Sequence, residues 1–468
     1  MTDLNSSERV VHHLPAAEAA FPRGDLVDAI ETRDAVACKQ WAAAVDANEA
    51  IHVVSSLEDD ARASLVEILD ADVAARLLAL LPLPQAIEAL ADVDADVAAG
   101  ILEELPSDER ADLIGALDQE DADLILGALE DDVAADVRKL TAYDEDTAGG
   151  LMATEFLAFR EDATIRDVLA DMEANAEHYA EINIQYSYVV DGAGRLRGVL
   201  PIRDLLLSKR TRPIREMMIP EPVRVRDSAD LRELERAFAT NNFMGLPVVT
   251  TDDVLVGVIE RSSVQYAAAD EADNLYRQSQ GIVGGEELRS MPLLLRSGRR
   301  LAWLSVNIVL NIAAASVIAF HQDTLAAAIA LAVFLPIISD MSGCSGNQAV
   351  AVSMRELTLG VTRPRDWFRV FRKECAVGIL NGVALGVLIG LVAFLWKNNV
   401  YLGLVVGAAL AANTLIAVCI GGAVPLILKA FKTDPALASG PILTTITDMC
   451  GFLLVLTLAS MLMTRLVA

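Results

Sequence analysis

The sequence predicts a multi-domain protein: an α-helical superhelix, an α/β module built from two copies of one repeat, a connecting helix, and an all-α membrane domain of five spans. Three observations carry that prediction. The first is a conflict in composition. Net charge is −28 and the sequence pI is about 4.5, yet mean hydropathy is +0.39 and 53% of residues are hydrophobic. An acidic front half joined to an apolar back half resolves it: residues 101–150 hold sixteen Asp and Glu against Arg110, Arg138 and Lys139, while nearly everything after Leu301 is apolar. The second is a pair of distinct internal repeats in the front half. The third is a series of five apolar stretches in the back half, each able to exceed the ~20 residues that cross a bilayer core.

Taken in order, residues 1–23 form a polar N-terminal tail. MTDLNSSERV has no apolar core of a signal peptide, so the front half is expected to stay on the side where it is made. Residues 24–145 repeat a phrase of acid, small residues and Leu at helical spacing (DADVAARLLALLP, DADVAAGILEELP, DDVAADVRKL). Short amphipathic helices at that period stack their apolar stripes into a superhelix with acidic convex faces. Residues 146–210 and 211–268 are the two copies of a second repeat. MATEFLAFREDATIRDVLADM (152–172) pairs with MIPEPVRVRDSADLRELERAF (218–238), and YVVDGAGRLRGVLPIRDLL (188–206) with LPVVTTDDVLVGVIERSSV (246–264). Each copy reads strand, helix, paired strands around a turn, helix. Residues 269–299 form a mostly helical connector interrupted around Gly284–Gly285. From residue 300 to 468 the expected spans are roughly 300–320, 324–355, 368–396, 400–430 and 436–466.

Loop charge orients these spans. Arg296, Arg299 and Arg300 precede the first, Arg355, Arg363, Arg365, Arg369, Arg372 and Lys373 crowd the connection between second and third, and Lys429 and Lys432 separate fourth from fifth. The alternate loops hold only His321, Asp323 and Lys397. The positive-inside rule then places the front half and the basic loops in the cytoplasm and the C-terminus outside. The acidic balance argues against nucleic acid as a partner, which wants clustered Lys and Arg. Cys38, Cys344, Cys375, Cys419 and Cys450 have no CxxC spacing, so neither a disulfide framework nor a zinc site is expected.

Two carboxylates, Asp340 and Asp448, fall well inside spans, where a charge costs at least ~3 kcal/mol on insertion scales and usually faces a cavity or a partner. Thr444 lies four residues before Asp448 on the same helix face, and its hydroxyl can take up helix hydrogen bonding and leave carbonyl oxygen near the carboxylate. Oxygen-only ligands select hard cations. A protonated structural Asp is the alternative. In LPIISDMSGCSGNQAV (335–350), Gly343 and Gly346 permit unwound backbone or close helix approach, and Asn347 and Gln348 supply amide oxygens. Small residues equally mark plain helix packing. Together with Asp448 and Pro425, the segment reads better as the lining of a pore.

The order of an acidic helical domain, two CBS-like motifs, a connecting helix and five spans resembles the MgtE magnesium channels over nearly the whole chain. The most specific pieces are LPIISDMSGCSGNQ, GGAVPLILKAF, DPALASGPILTTITD and the junction YDEDTAGGLM (143–152). The resemblance implies a CBS-regulated homodimer in a prokaryotic cytoplasmic membrane that conducts Mg2+ and is not an enzyme. It implies that Asp448 holds hydrated Mg2+ together with the same residue of a second subunit, that a backbone carbonyl at Thr444 shares the site, and that Gly343, Gly346, Asn347 and Gln348 belong to the glycine–amide segment. It also implies that the connecting helix acts as a plug, that cytoplasmic domains bind regulatory Mg2+, and that in some members the CBS module binds ATP.

The chain departs from the pattern in three places. Cys344 replaces an amide residue, Asp340 adds a carboxylate, and Ser262–Ser263 stand where paired acids are expected, leaving Asp270, Glu271 and Asp273 as regulatory metal candidates unless they only complement a helix start. Asp204, after the paired strands of the first copy, is a candidate for holding a nucleotide ribose; a surface Asp beginning a helix is the plainer reading. On the sequence alone a proton- or sodium-coupled transporter of Co, Ni or Mn, and a membrane-anchored nucleotide sensor, remain rivals. A chloride channel fits the domain order poorly.

Overall fold

The computed structural model describes residues 23–179, 186–282 and 287–466. The chain divides into two compact units, one running to Glu271 and including Leu288–Ser290, the other formed by Ala272–Glu287 and Met291–Ala468.

The first unit opens with short helices from Arg23–Glu31 to Asp131–Leu140, ten in all among the described residues. The repeated acid is a cap. Asp34 accepts from the Val36 and Ala37 amides, Asp46 from Glu49 and Asp94 from Asp96, satisfying donors that the first helical turn leaves free. The small residues are the crossing points and the Leu residues the core: Ala74, Ala75, Leu77 and Leu78 are buried in one helix, and Ala98, Ala99, Ile101 and Leu102 in another. Leu-Pro pairs end one helix and begin the next at Pro82 and Pro106.

Two arginines in this acidic domain are buried rather than solvated. Arg62 donates to the Leu57 carbonyl at 3.1 Å and approaches the Val54 carbonyl at 3.5 Å, with Asp59 and Glu88 as ion pairs. Arg110 donates to the Leu102 carbonyl at 2.7 Å, Leu105 at 2.6 Å and Glu103 at 3.2 Å. Each guanidinium closes the C-terminal carbonyls of the helix before its own, at the same offsets along the chain.

The α/β module follows, and its two copies share one topology. In the first, β1 (Leu157–Arg160) runs parallel to β2 (Tyr186–Val190), which pairs antiparallel with β3 (Leu196–Pro201), and β4 (Ile219–Pro220) closes that sheet. In the second, β5 (Val225–Arg226) runs parallel to β6 (Gly245–Val249), which pairs antiparallel with β7 (Leu255–Glu260). A parallel pair needs a crossover, and the capped helices Ile165–Ala174 and Leu231–Thr240 supply it. The register slips at Val189–Val190 and again at Val248–Val249. The following turns put Gly194 and Asp253 at equivalent left-handed positions, φ 76° and 62°. The two turns bond to each other: Leu196 N–H to Asp253 O at 2.9 Å and Leu255 N–H to Gly194 O at 3.1 Å. The junction before the module is tight. Gly149 lies against the Tyr143 ring where a side chain would overlap it, and its amide donates to Asp227 O at 2.8 Å.

Among the described residues of the second unit, five helices are long and apolar enough to cross a membrane: Leu293–Phe320, Ile329–Thr358, Pro364–Lys397, Val400–Ala430 and Ala438–Met461. Two expectations are corrected. The connector is not a separate helix ending at 299. A helix beginning at Arg261 ends at Ser279, and the first span starts at Leu293 behind Pro292, whose fixed φ suits a helix entry. The interruption expected at Gly284–Gly285 lies outside the described residues. The stretch 324–355 is not continuous either. A short helix, Gln322–Ala327, breaks at Ala328, a 3-10 turn covers Ile329–Val333, and Leu335–Thr358 begins anew with Pro336 in its first turn. Pro336 has no N–H to continue a helix from the preceding turn.

The fourth span is the buried axis of the bundle. It meets the third antiparallel through small residues: Gly382, Gly386 and Gly390 lie opposite Ala411, Gly407 and Gly403, so closely that a Cβ at Gly382 would stand 2.5 Å from the Ala411 carbonyl oxygen.

Two outcomes are expected. Arg110→Met strands the buried Leu102 and Leu105 carbonyls and should cost ~2–4 kcal/mol of stability, read by denaturant unfolding of the purified chain, whereas Arg138→Met on an exposed face should stay within ~0.5 kcal/mol. Gly382→Val should abolish accumulation of folded protein in membranes, read by detergent-extractable monodisperse material.

Candidate functional site

Asp448 sits on the fifth span with only 9% of its surface exposed. Its Oδ1 accepts a hydrogen bond from Ser339 Oγ on the second span. One helical position away, the fully buried Asn413 of the fourth span donates through Nδ2 to Ser342 Oγ at 2.5 Å and to the Thr447 carbonyl at 3.0 Å. One amide therefore ties the second, fourth and fifth spans together beside the carboxylate. Asn413 Oδ1 and Thr414 Oγ1 are buried without a hydrogen-bond partner, which marks this seam as a place with polar capacity to spare.

Pro441 lies inside the fifth span and removes an amide from its ladder, freeing the carbonyl four residues earlier. Hydroxyls bond other carbonyls of the same helix. Thr445 donates to the Pro441 carbonyl at 2.7 Å, and Thr447 to the Thr444 carbonyl at 2.9 Å. The back-bonding expected of the Thr444 hydroxyl is thus carried by Thr445 and Thr447, while Thr444 is exposed on the turn before Asp448.

The segment 335–350 is helical throughout, so its glycines do not unwind it. Gly346 serves close approach: a Cβ there would stand 3.0 Å from the Ala417 carbonyl and 2.8 Å from Leu443, and the reverse contact seats Gly421 on Gly346. Gly343 faces open space. The helix divides by face. Ser342, Ser345, Gly346, Ala349 and Ser353 are buried, with Ser353 Oγ bonded to the Gly422 carbonyl at 2.8 Å. Asp340, Cys344, Asn347 and Gln348 share the opposite, exposed face of the chain. Pro425 is buried in the fourth span.

The remaining candidates lie elsewhere. Asp270, Glu271 and Asp273 fall in the middle of the helix Arg261–Ser279, on exposed or half-exposed turns, so they do not complement a helix start. Ser262 donates to Glu260 Oε2 at 2.9 Å. Asp204 stands in the first turn of Ile202–Leu206 and pairs with Arg203 at 3.3 Å. Among the described residues no group of three or more His, Cys, Asp and Glu lies close enough to hold a metal ion. What the membrane seam offers is one carboxylate bonded to a serine hydroxyl, beside a helix position whose carbonyl an amide holds; oxygen donors of this kind suit a hard cation that keeps its water.

Sequence reasoning missed Ser339, Asn413 and Thr447. The Asn413–Thr414 pair inside AALAANTLIAV was a usable signal, since an amide in a span must find a partner; which partner could not be read. It also missed Glu287, 2% exposed and ion-paired to Arg300 and, at 4.0 Å, to Arg296, and the seating of Gly281 (φ 80°) on the Trp303 indole. In the first unit, burial and the neighbouring Glu109, Asp112 and Glu155 push Asp108 up to about 7. Asp108 Oδ1 is sealed from solvent with no hydrogen-bond partner.

Comparison with known proteins adds the following. A family described as MgtE, divalent cation transporter, matches residues 335–458; the MgtE intracellular N domain matches 22–104 and 47–146; CBS domains match 148–209 and 214–270. The magnesium transporter MgtE of Thermus thermophilus is 35% identical over 334 residues, 70% of this chain and 73% of that protein. The protein of the same name from Enterococcus faecalis is 31% identical over 330 residues, 70% and 72% of the two chains. A crystal structure of the cytosolic domain of the Mg2+ channel MgtE in complex with ATP is 32% identical, covering 52% of this chain and 99% of that one with a TM-score of 0.48.

The raised carboxyl of Asp108 carries a pH consequence. Between about pH 4 and pH 7 the folded chain holds a proton there that the unfolded chain has released, so its contribution to stability is lost as pH rises through that window. Asp108→Asn removes this dependence. The variant should unfold ~2–4 °C higher than the native chain at pH 7 and show a flatter midpoint-versus-pH curve from pH 7 to pH 5, read by thermal denaturation of the full chain in detergent.

Proposed function

The chain belongs to the MgtE family of divalent cation transporters, and from that membership we propose that it is a magnesium channel in which Asp448 is the pore carboxylate, gated by its N-domain and CBS module. The observation that carries the site assignment is the seam itself. Asp448 is a carboxylate at span depth held by a serine of another span, next to an amide that locks three spans in place. Mg2+ surrenders its waters reluctantly. A pore that presents carboxylate and carbonyl oxygen to the hydrated ion avoids that dehydration cost, and oxygen donors without His or Met offer nothing extra to softer metals.

A homodimer accounts for the polar face of the second span. Asp340, Asn347 and Gln348 are exposed on a membrane helix of the isolated chain, and each would cost several kcal/mol against lipid. A second copy across that face would enclose the polar groups in a water-filled pathway shared by two subunits, with Thr444 and Asp448 of each lining it and Gly343, Cys344, Gly346 and Pro425 completing or supporting the wall. The basic loops then face the cytoplasm of a bacterial cell together with the N-terminal domains, and the C-terminus lies outside. In this reading the helical domain takes 24–145, the CBS motifs 146–210 and 211–268, the connector runs from 269 to Pro292, and the membrane domain begins at Leu293.

Regulation belongs to the same reading. Asp270, Glu271 and Asp273 are the acids available to bind regulatory Mg2+ in place of the absent pair at Ser262–Ser263. Their helix ends on Gly281, packed against Trp303 of the first span, and Glu287 ties the connector to Arg296 and Arg300. These contacts give a plug something rigid to act through. ATP in the CBS module, with Asp204 toward the ribose, is the nucleotide arm of the proposal.

Uptake of Mg2+ into proteoliposomes tests the core of it. The native chain should carry Mg2+ with or without a proton gradient. Asp448→Ala should reduce the flux about tenfold or more, and Ser339→Ala should reduce it less, through loss of one charge-assisted hydrogen bond. Flux that collapses with the proton gradient would instead favour coupled transport, and flux unaffected by Asp448→Ala would sink the assigned site.

A further inference from the structure

Two cysteines lie apart from the Asp448 seam, and neither the pore chemistry nor the packing argument requires them to be cysteine. Cys375 is on the third span and Cys419 on the fourth, and their sulfurs are 3.1 Å apart. Ordinary buried cysteines act as small hydrophobes without meeting one another. This pair is different because its position is imposed by the backbone. The third and fourth spans run antiparallel at glycine distance, with Gly390, Gly386, Gly382 and Gly378 facing Gly403, Gly407, Ala411 and Leu415 in turn. Cys375 and Cys419 occupy the next rung of that ladder. Helices that close hold the two side chains face to face, and neither sulfur has to travel more than ~1 Å to reach the ~2.05 Å of a disulfide.

Access is asymmetric. Cys419 is 4% exposed, whereas Cys375 is half-buried and follows Arg372 and Lys373 at the basic end of its span. An aqueous oxidant therefore meets Cys375 first. In the orientation proposed above that end is cytoplasmic, where thiols rest reduced and disulfides are transient and regulatory.

We propose that Cys375 and Cys419 are a disulfide-forming modification site, a reversible staple between the third and fourth spans. With a peroxide as oxidant, the Cys375 sulfur takes one peroxide oxygen to become a sulfenic acid as the other leaves as water. The Cys419 sulfur then attacks the Cys375 sulfur, the S–S bond forms, and the sulfenic oxygen leaves as a second water with the Cys419 proton. Two thiols and one peroxide thus give one disulfide and two waters, and a thiol reductant reverses the step by exchange. The fourth span also carries Asn413, which fixes the Thr447 carbonyl beside Asp448, and Gly421, which seats on Gly346. A covalent link on its opposite side stops it sliding against the third span, so the staple restrains any movement of the pore seam that conduction needs. This restraint rests on the proposed channel function, whereas the disulfide itself does not.

The test uses the full chain in proteoliposomes, treated with hydrogen peroxide, alkylated with iodoacetamide and digested. The expected result is a linked peptide joining Cys375 to Cys419, absent from Cys375→Ser. Mg2+ flux should fall at least twofold on oxidation, return with dithiothreitol and not change in oxidised Cys375→Ser. Recovery of both cysteines alkylated, or linkage of either to Cys344, Cys450 or a second chain, would overturn the site. A Cys375–Cys419 disulfide that leaves a measurable Mg2+ flux unchanged would overturn the restraint. The same disulfide in a chain with no Mg2+ flux before oxidation would uphold the site and count against the channel reading instead.

Discussion

Backbone-to-backbone contact along the fourth span is the constraint on which the membrane unit depends. Lipid tails are as apolar as Leu, so burial of apolar area does not drive helices together in a bilayer; close packing and polar contacts do. The fourth span meets that requirement on two sides, with Gly403, Gly407 and Ala411 toward the third span and Gly421 toward the second. Only at that separation can a short side chain such as Asn413 reach a hydroxyl on one neighbour and a carbonyl on another. The Asn413 seam is therefore a consequence of small residues two to ten positions away from it on the same helix.

The carboxylate depends on this arrangement in turn. Asp448 is tolerable at depth because a serine of another span answers one of its oxygens. The unanswered Asn413 Oδ1 and Thr414 Oγ1 fit the same picture, since a site that exchanges a hydrated ion needs polar atoms not already committed to the protein.

The sequence made the periodic parts of this molecule legible. Acid, alanine and leucine at fixed offsets became cap, crossing and core, and the duplicated strand–helix–hairpin pattern became two sheets with the same irregularity at Val190 and Val249. Asp448 was legible because a charge in a span is costly wherever it points. Non-local partners were not. Nothing near Ser339 announces that it meets a residue more than a hundred positions later, and nothing near Glu287 announces that Arg300 will neutralise it. The break at Ala328 was missed because hydropathy continues across it, and Pro336 marks only where the helix restarts.

The two units obey one rule with different chemistry. A buried polar group must be answered, and in the acidic superhelix the answer is a full charge: Arg62 and Arg110 each close several carbonyls at once, with solvent close enough to the guanidinium stem and its acidic neighbours to keep the charge affordable. In the membrane unit carbonyls are closed by neutral donors, Asn413, Ser353 and Thr447, because a cation at that depth would be costly. An arginine at position 413 could make similar bonds, yet it would neutralise the carboxylate one residue away from its carbonyl partner. The choice of amide over guanidinium is thus dictated by the bilayer, and under the proposed function it also leaves Asp448 unpaired with any cation of the protein itself among the described residues.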